Sequence, residues 1–120
     1  MISRRHRFHG LNSLRTVYKL GQTSRQQQLT VRYRLNDKRA VYRCAVVVSK
    51  KVEKSAVRRN RIRRRIFEAV RWLEPNIKQP YDIVITAFSN SVIDLTDAEL
   101  KQQIKSLLNS AGVVDDKTQK

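Results

Sequence analysis

The most regular pattern in the chain runs from residue 57 to residue 73, where apolar side chains recur every three or four positions. The recurring apolar residues are Ile62, Ile66, Ala69, Val70 and Leu73. At about 100° per residue they share one arc, so the pattern predicts an amphipathic helix. The side chains predicted to lie away from this arc are Arg61, Arg64 and Arg71, with Asn60 beside them and Arg63 and Arg65 at its edges.

Shorter patterns predict the other elements. These are a helix at 11–20, a strand at 29–35, a strand or strand pair at 40–48, a strand at 82–88 and a helix from about 97 to 109. Thr96, followed three residues later by Glu99, predicts a capping box at the start of the last helix. The order α-β-β-(β)-α-β-α predicts an α+β sandwich of helices on a small sheet. At 120 residues, one domain spanning 1–120 is expected.

Two of the strands have different patterns. In the first, Leu29, Val31, Tyr33 and Leu35 alternate with Thr30, Arg32 and Arg34. Alternation predicts a half-buried strand whose outer face is basic. The second ends in the apolar run 45–48, which does not alternate. Such a run predicts a strand covered on both faces.

Charge is concentrated in the first part of the chain. Residues 1–71 hold 21 Lys and Arg and 3 Asp and Glu, whereas residues 72–120 hold 5 and 7, which together make up the net charge of +16. Arginine outnumbers lysine, 16 to 10. Arginine binds phosphate through a planar fork and stacks on bases, so this bias favours a nucleic acid over a membrane surface. A basic segment at 1–7 and a polar tail at 115–120 flank the predicted domain.

Several classes of protein and site are disfavoured. The chain has no apolar run of membrane length and no signal-peptide pattern, so we expect it to stay in the cytoplasm where it is made. Cys44 is the only cysteine, which excludes an internal disulfide, and its apolar strand predicts simple packing. The acids of the basic half are only Asp37, Glu53 and Glu68, too scattered for a two-metal site. Hydrolysis by this chain alone is therefore not expected.

A combination of motifs connects the second predicted strand to the arginine helix. An apolar strand ends in Ser49-Lys50-Lys51, followed by Ala56-Val57 and then by Arg59-Asn60-Arg61 on a basic helix. An Arg-Asn-Arg tripeptide alone is a weak signal, but its spacing from the strand makes the combination specific. The combination resembles a known family, the protein subunit of bacterial ribonuclease P. In the first helix Leu14, Tyr18, Lys19 and Gly21 occupy the family's pattern positions, although the family has an aromatic residue where Leu14 stands. The resemblance extends over about residues 4–109.

The resemblance implies a fold and a function. The implied fold is an α-β-β-β-α-β-α sandwich with a small mixed sheet and a left-handed βαβ crossover through the arginine helix. The implied function is the protein component of ribonuclease P, an endoribonuclease whose RNA subunit carries the chemistry. Its partners would be ribonuclease P RNA and precursor tRNA, whose 5′ leader it binds. Magnesium would act through the RNA subunit, with none bound tightly by the protein alone.

The resemblance also implies two sets of site residues. The expected RNA-binding residues are Lys50, Lys51, Arg58, Arg59, Asn60, Arg61, Arg63 and Arg64. The expected leader-binding cleft lies between the first helix and the sheet and is lined by Phe8, Leu14, Tyr18, Val31 and Tyr33. Trp72 is expected at the core or its rim. The chain departs from the family pattern at Ala45 and at the connection 52–55. It also departs at Arg65, where many members have an apolar residue, and at Phe67, where many have an arginine.

Two other classes of function stay open. A ribosomal or other structural RNA-binding protein could share both the charge and the fold. A DNA-binding regulator could place the arginine helix in the major groove. Against the regulator, strands rather than a second helix flank the basic helix.

Overall fold

A computed structural model describes His6 and residues 11–26 and 28–114. The helices are α1 (Leu11–Leu20), α2 (Ala56–Leu73) and α3 (Asp97–Ala111), and the strands are β1 (Gln22–Gln26), β2 (Leu29–Leu35), β3 (Arg43–Val48) and β4 (Tyr81–Ala87). Short 3-10 helices follow α2 at Glu74–Asn76 and precede α3 at Asn90–Asp94. The predicted helices and strands are confirmed to within a few residues. The tail 115–120 and, apart from His6, the basic segment 1–7 lie outside the described residues.

Strand β1 was not predicted from the residues. Its sequence, Gln-Thr-Ser-Arg-Gln, has no apolar side chain and therefore no alternation to detect. It forms by pairing antiparallel with β2, in a register that sets Ser24 opposite Val31. The third strand thus comes from this polar segment, and residues 40–48 supply one strand instead of two. The α-β-β-β-α-β-α order implied by the resemblance is confirmed.

The four strands form one mixed sheet in the order β1-β2-β4-β3. β4 lies in the centre, antiparallel to β2 and parallel to β3. Because β3 and β4 are parallel neighbours, the chain must return across the sheet between them, and α2 is the element that does so. The register places Val31, Ile85 and Val46 in one row and Arg32, Val84 and Ala45 in the next.

The main core lies between α2, α3 and one face of the sheet, which we call the inner face. Leu29, Val31, Ile83, Ile85 and Val46 supply that face, and they belong to one buried cluster with the apolar arc of α2. The prediction that the run 45–48 is covered on both faces is wrong, because Ala45 and Val47 are partly exposed. β3 is an edge strand, so its second face is only partly covered. The strand that is buried on both faces is β4, over residues 82–85.

The outer face of the sheet carries Thr30, Arg32 and Arg34 of β2 and is packed by α1. Val17 of α1 and Val84 of β4 are fully buried there, outside the main cluster. At one end of this face Arg43 donates two hydrogen bonds of 2.9 Å to the carboxylate of Asp82. The pair is almost completely buried, and Asn36 donates a further bond to Asp82. Complete pairing of this kind is required because an unpaired buried charge is strongly destabilising.

Both ends of α3 are closed by local hydrogen bonds. The predicted capping box is confirmed: Thr96 Oγ1 accepts from the Glu99 amide at 3.1 Å, and the Glu99 carboxylate accepts from the Thr96 amide at 2.9 Å. The helix ends at Gly112, whose φ of 78° lies in the left-handed region that glycine adopts without strain. The amphipathic face of α3 is thereby held against α2 and the sheet.

Candidate nucleic-acid interface

Helix α2 presents its arginines on the side away from the core. Ile62, Ile66, Ala69, Val70 and Leu73 are buried as predicted, and Phe67 is buried with them. Arg58, Asn60, Arg61, Arg64 and Arg71 are exposed, whereas Arg59, Arg63 and Arg65 are partly buried. One face of the helix is therefore a row of cationic side chains on a rigid support. Lys50 and Lys51, in the turn after β3, are exposed as well.

The start of α2 is fastened by the segment before it. Ser55 is the N-cap, and its hydroxyl accepts a hydrogen bond from the Arg58 amide. The Glu53 carboxylate accepts from the Arg58 guanidinium at 2.8 Å and from the Ser55 amide at 3.1 Å. These two bonds lower the pKa of Glu53 below its ordinary value. The connection 52–55, although it departs from the family pattern, thus forms a defined helix start.

Arg59 also stabilises this helix start. Its guanidinium donates hydrogen bonds of 2.9 Å to the carbonyls of Glu53 and Lys54. It is therefore partly committed to holding the turn, unlike Arg61, which is exposed. Arg63 is hydrogen-bonded to the side-chain oxygen of Asn60. The expected RNA-binding residues consequently differ in how freely each can meet a ligand.

Arg65 connects α2 to the segment that leads into α3. Its guanidinium donates to the carbonyls of Val92 and Ile93 at 3.2 and 3.0 Å, and also to that of Leu95. It further pairs with Asp97 at 3.2 Å. The departure from the family pattern at Arg65 is explained by this bridge from α2 to the start of α3. Phe67, the matching departure, fills core space instead of presenting charge.

A second candidate surface lies where α1 meets the outer face of the sheet. Tyr18 is 43% exposed, and Leu14 is partly buried. The Arg32 guanidinium lies 5.8 Å from the centre of the Tyr18 ring and donates hydrogen bonds to the Tyr18 and Gly21 carbonyls. Gly21 allows the end of α1 to lie this close to β2, because a Cβ at this position would be 2.4 Å from the Val17 carbonyl oxygen and 2.9 Å from that of Tyr33.

Two residues assigned to the cleft lie on the wrong face of the sheet. Val31 is fully buried in the main core, and Tyr33 packs edge-on against Tyr81 at 6.3 Å between ring centres. Both side chains point to the inner face, opposite to α1, so they do not line a cleft between α1 and the sheet. The physical reason is the alternation of β2, which sends Val31 and Tyr33 inward and Arg32 outward. Phe8, also assigned to the cleft, lies outside the described residues.

The outer face contains residues that the sequence prediction missed. Arg25 of β1 lies with its guanidinium 4.2 Å from the centre of the Phe88 ring, beyond the end of β4. The Tyr18–Arg32 and Phe88–Arg25 pairs both combine an aromatic ring with a guanidinium on this face. The alternation in 29–35 could have identified Arg32. No pattern pointed to Arg25, because β1 itself has no apolar periodicity.

Other candidate chemistry is limited within the described part of the chain. Over those residues no group of three or more His, Cys, Asp or Glu side chains could hold a metal ion. Cys44 is buried as predicted, and burial raises the pKa of its thiol. No helix in the same residues is long and apolar enough to cross a membrane.

Comparison with known proteins decides between the classes of function left open. The Ribonuclease P family model matches residues 2–112. The chain belongs to the ribonuclease P protein family. A ribonuclease P protein component from Oceanobacillus iheyensis is 35% identical over 98 residues, which covers 82% of this chain and 79% of that protein. One from Roseiflexus castenholzii is 41% identical over 78 residues, which covers 65% of this chain.

Solved structures agree with the ribonuclease P assignment. The RNase P protein of Staphylococcus aureus superposes with a TM-score of 0.81 at 26% identity, covering 92% of this chain and 98% of that one. That of Thermotoga maritima has the same fold, with a TM-score of 0.73 at 22% identity, covering 81% and 89%. The chain spans 63% of the length of the Roseiflexus relative and 54% of that of a Chloroflexus aurantiacus relative.

Proposed function

We propose that this ribonuclease P protein is the protein component of the ribonucleoprotein that matures the 5′ end of tRNA. In this role it binds the catalytic RNA and the 5′ leader of precursor tRNA and promotes endonucleolytic removal of the leader. The observation that carries the proposal is the exposed arginine face of α2 in a chain of this family. Removal of the leader would take place in the cytoplasm.

The arginine face of α2 is suited to a folded RNA. Arg58, Arg61 and Arg64 are exposed along consecutive turns of a helix whose other side is locked in the core. Guanidinium groups bind phosphates through paired hydrogen bonds, and each neutralised phosphate releases counterions. Lys50 and Lys51 add two exposed cations near the start of the helix. We assign binding of the catalytic RNA to this surface.

The outer face of the sheet is suited to an unpaired strand. Its aromatic rings at Tyr18 and Phe88 each lie beside a guanidinium, of Arg32 and of Arg25. An aromatic face stacks on any base, whereas a guanidinium attracts the backbone, so such a surface is tolerant of sequence. We assign the leader of precursor tRNA to this face. Tyr18 stays in the predicted set, and Arg32, Arg25 and Phe88 take the place of Val31 and Tyr33.

We assign the hydrolysis to the RNA subunit, which would hold the Mg²⁺ ions, with none bound tightly by the protein alone. Two-metal hydrolysis needs carboxylates that converge within a few ångströms. The described residues contain no such group, and the acid nearest to the basic start of α2, Glu53, is already bonded to Arg58 and Ser55. The protein would raise the affinity for substrate and reduce the Mg²⁺ that the RNA requires.

Reconstitution tests the proposal directly. The purified protein is mixed with a bacterial ribonuclease P RNA, and cleavage of precursor tRNA is measured at low Mg²⁺. We expect cleavage to be enhanced over the RNA alone and to be absent with the protein alone. Cleavage by nuclease-free, RNA-free protein would refute the division of labour.

Sizing the RNA that co-purifies with the protein separates this function from its alternatives. The proposal expects one RNA of a few hundred nucleotides. Recovery of ribosomal RNA would favour a structural RNA-binding protein, and recovery of duplex DNA would favour a regulator. Either result would overturn the proposed function.

A further inference from the structure

A groove of about 570 Å³ lies between the outward side of α2 and the first half of α3, beside the arginine face described above. We call it the Trp72 groove. It is lined by Arg64, Arg65, Glu68, Ala69, Arg71, Trp72, Asp97, Leu100 and Lys101. Its floor is apolar, since Ala69 and Leu100 are buried, and its rim is charged.

Trp72 is unusually open for a large aromatic residue. The residues around it on α2, Ala69, Val70 and Leu73, are almost completely buried, yet Trp72 is 49% exposed. The ammonium of Lys101 on α3 lies 5.5 Å from the centre of the indole ring. The ring is thus supported by α3 on one side while about half of its surface remains accessible.

The charges of the groove favour an anionic ligand. Arg65 and Asp97 neutralise one another at 3.2 Å. Arg64, Arg71 and Lys101 remain, against the single carboxylate of Glu68. Arg64 and Arg71 are seven residues apart, so they lie on nearly the same line of the helix. Arg64 also belongs to the proposed RNA-binding surface, which makes the groove continuous with it.

We propose that the Trp72 groove takes an unpaired nucleotide of the RNA that α2 binds, with the base stacked on Trp72. The adjoining phosphates are held by Arg64, Arg71 and Lys101. The chemistry required is that of a single-stranded site, an aromatic face beside cations. The inference rests on the proposed function, because it extends the α2 interface about 12 Å along the helix from Arg64.

Trp72 is the only tryptophan in the chain, so its fluorescence reports on the groove alone. The experiment titrates the wild-type protein with a bacterial ribonuclease P RNA and, separately, with a blunt RNA duplex. We expect the ribonuclease P RNA to quench the emission and to shield the ring from acrylamide. The duplex, which offers charge without a free base, should leave the emission unchanged at saturation.

Variants measure how much the contact contributes to binding. Trp72→Leu, which keeps an apolar side chain, should weaken binding of ribonuclease P RNA by about 5-fold to 150-fold, the range for one stacked base. Trp72→Phe should retain most of the affinity. Lys101→Ala should flatten the dependence of log K on log salt by about 0.7–0.9. Lys105→Ala is the matched control, because Lys105 is one turn along α3 and does not line the groove.

The outcomes separate this inference from the proposed function. If the wild-type protein fails to bind ribonuclease P RNA, the proposed function fails. If it binds but its Trp72 emission and acrylamide access do not change, the groove has another occupant and the inference alone is overturned. Equal affinities of Trp72→Leu and wild type would also overturn it. Because the fluorescence arm uses the wild-type chain, poor folding of a variant cannot rescue the inference.

Discussion

Gly21 joins the end of α1 to the backbone of β2, and its lack of a side chain makes that contact possible. A Cβ at this position would meet two carbonyl oxygens, of Val17 at 2.4 Å and of Tyr33 at 2.9 Å. Both are main-chain atoms that cannot rotate away. We expect Gly21→Ala to lower the free energy of unfolding by about 1–3 kcal/mol, as measured by urea denaturation. Leu20→Ala, at an exposed neighbour, should change it by under about 0.5 kcal/mol.

A comparable loss in both variants would contradict this account. It would mean that the end of α1 is sensitive to any substitution, and that the carbonyl contacts at Gly21 are not the cause. The Gly21→Ala protein should also show faster amide hydrogen exchange at α1 before it unfolds globally, since the strain is confined to the end of that helix.

The carboxylate of Glu53 gives stability a specific dependence on pH. Hydrogen bonds from Arg58 and the Ser55 amide lower its pKa below the ordinary value of about 4.5. The folded state therefore favours the ionised form, and the resulting stability is complete above that ordinary value and is lost as the pH falls through the lowered pKa. We expect wild type to be more stable than Glu53→Gln at pH 7, with the difference shrinking below about pH 4.5. Denaturation curves for both proteins across this range provide the measurement, and parallel pH profiles would refute the assignment.

For single residues, the sequence predicted which side chains are buried better than it predicted which face of the sheet binds a ligand. The alternation of β2 correctly separated Val31 from Arg32. The error was to place Val31 and Tyr33 in the cleft, because the pattern does not say on which face α1 packs. That choice depends on the long-range packing of α1 on β2 and β4, which buries Val17 and Val84 and is not visible in local periodicity.

Helix α2 combines two kinds of arginine that the sequence cannot tell apart. Arg59 and Arg61 belong to the same Arg-Asn-Arg motif, yet only Arg59 donates to the carbonyls of Glu53 and Lys54. We expect Arg61→Ala to weaken RNA binding and flatten its salt dependence by a slope of about 0.7–0.9, with little change in stability. Arg59→Ala should do the same and also lower the free energy of unfolding by about 1 kcal/mol.

The pair is measured by binding titrations at several salt concentrations and by thermal unfolding of the free protein. Equal stability of the two variants would show that the Arg59 hydrogen bonds contribute nothing to the helix start. A large loss of stability in Arg61→Ala would show that the exposed face of α2 has been assigned incorrectly.

Among the elements, those with a strong apolar period were predictable and β1 was not. α2 and α3 each carry an arc that must be buried, and Thr96 marks the start of α3 by its own hydrogen bonds. β1 has no buried apolar residue. It pairs with the edge of β2, and the Gln26 side-chain amide donates a hydrogen bond of 2.9 Å to the Ser106 hydroxyl of α3. Its formation depends on partners that are distant in sequence, so the residue pattern placed the optional third strand within 40–48 instead of at 22–26.

In the whole molecule, the sheet separates two candidate surfaces. α2 packs on the inner face and presents its arginines outward, whereas α1 and the Tyr18–Arg32 pair lie on the outer face. A ligand on one surface therefore need not contact the other. This separation suits a protein that is anchored to one RNA while it holds an unpaired strand of a second, and it predicts that variants of the two surfaces have separable effects.

Tyr18 provides the test of that separation. Tyr18→Leu removes an exposed aromatic ring beside Arg32. Tyr33→Leu, the control, removes a partly buried aromatic ring from the inner face of the sheet. In the reconstituted holoenzyme we expect Tyr18→Leu to cost about 1 kcal/mol or more in affinity for precursor tRNA, because a stacked leader base is lost. Mature tRNA, which has no leader, should bind the variant and wild type alike. Tyr33→Leu should leave the difference between the two tRNAs unchanged, because that ring packs against Tyr81 and not beside α1.

The quantity measured is a double difference, with leader present or absent and tyrosine present or absent. Equal losses on both tRNAs with Tyr18→Leu would mean that Tyr18 supports the fold or the RNA interface, and the outer face would then lose its assignment as the leader site.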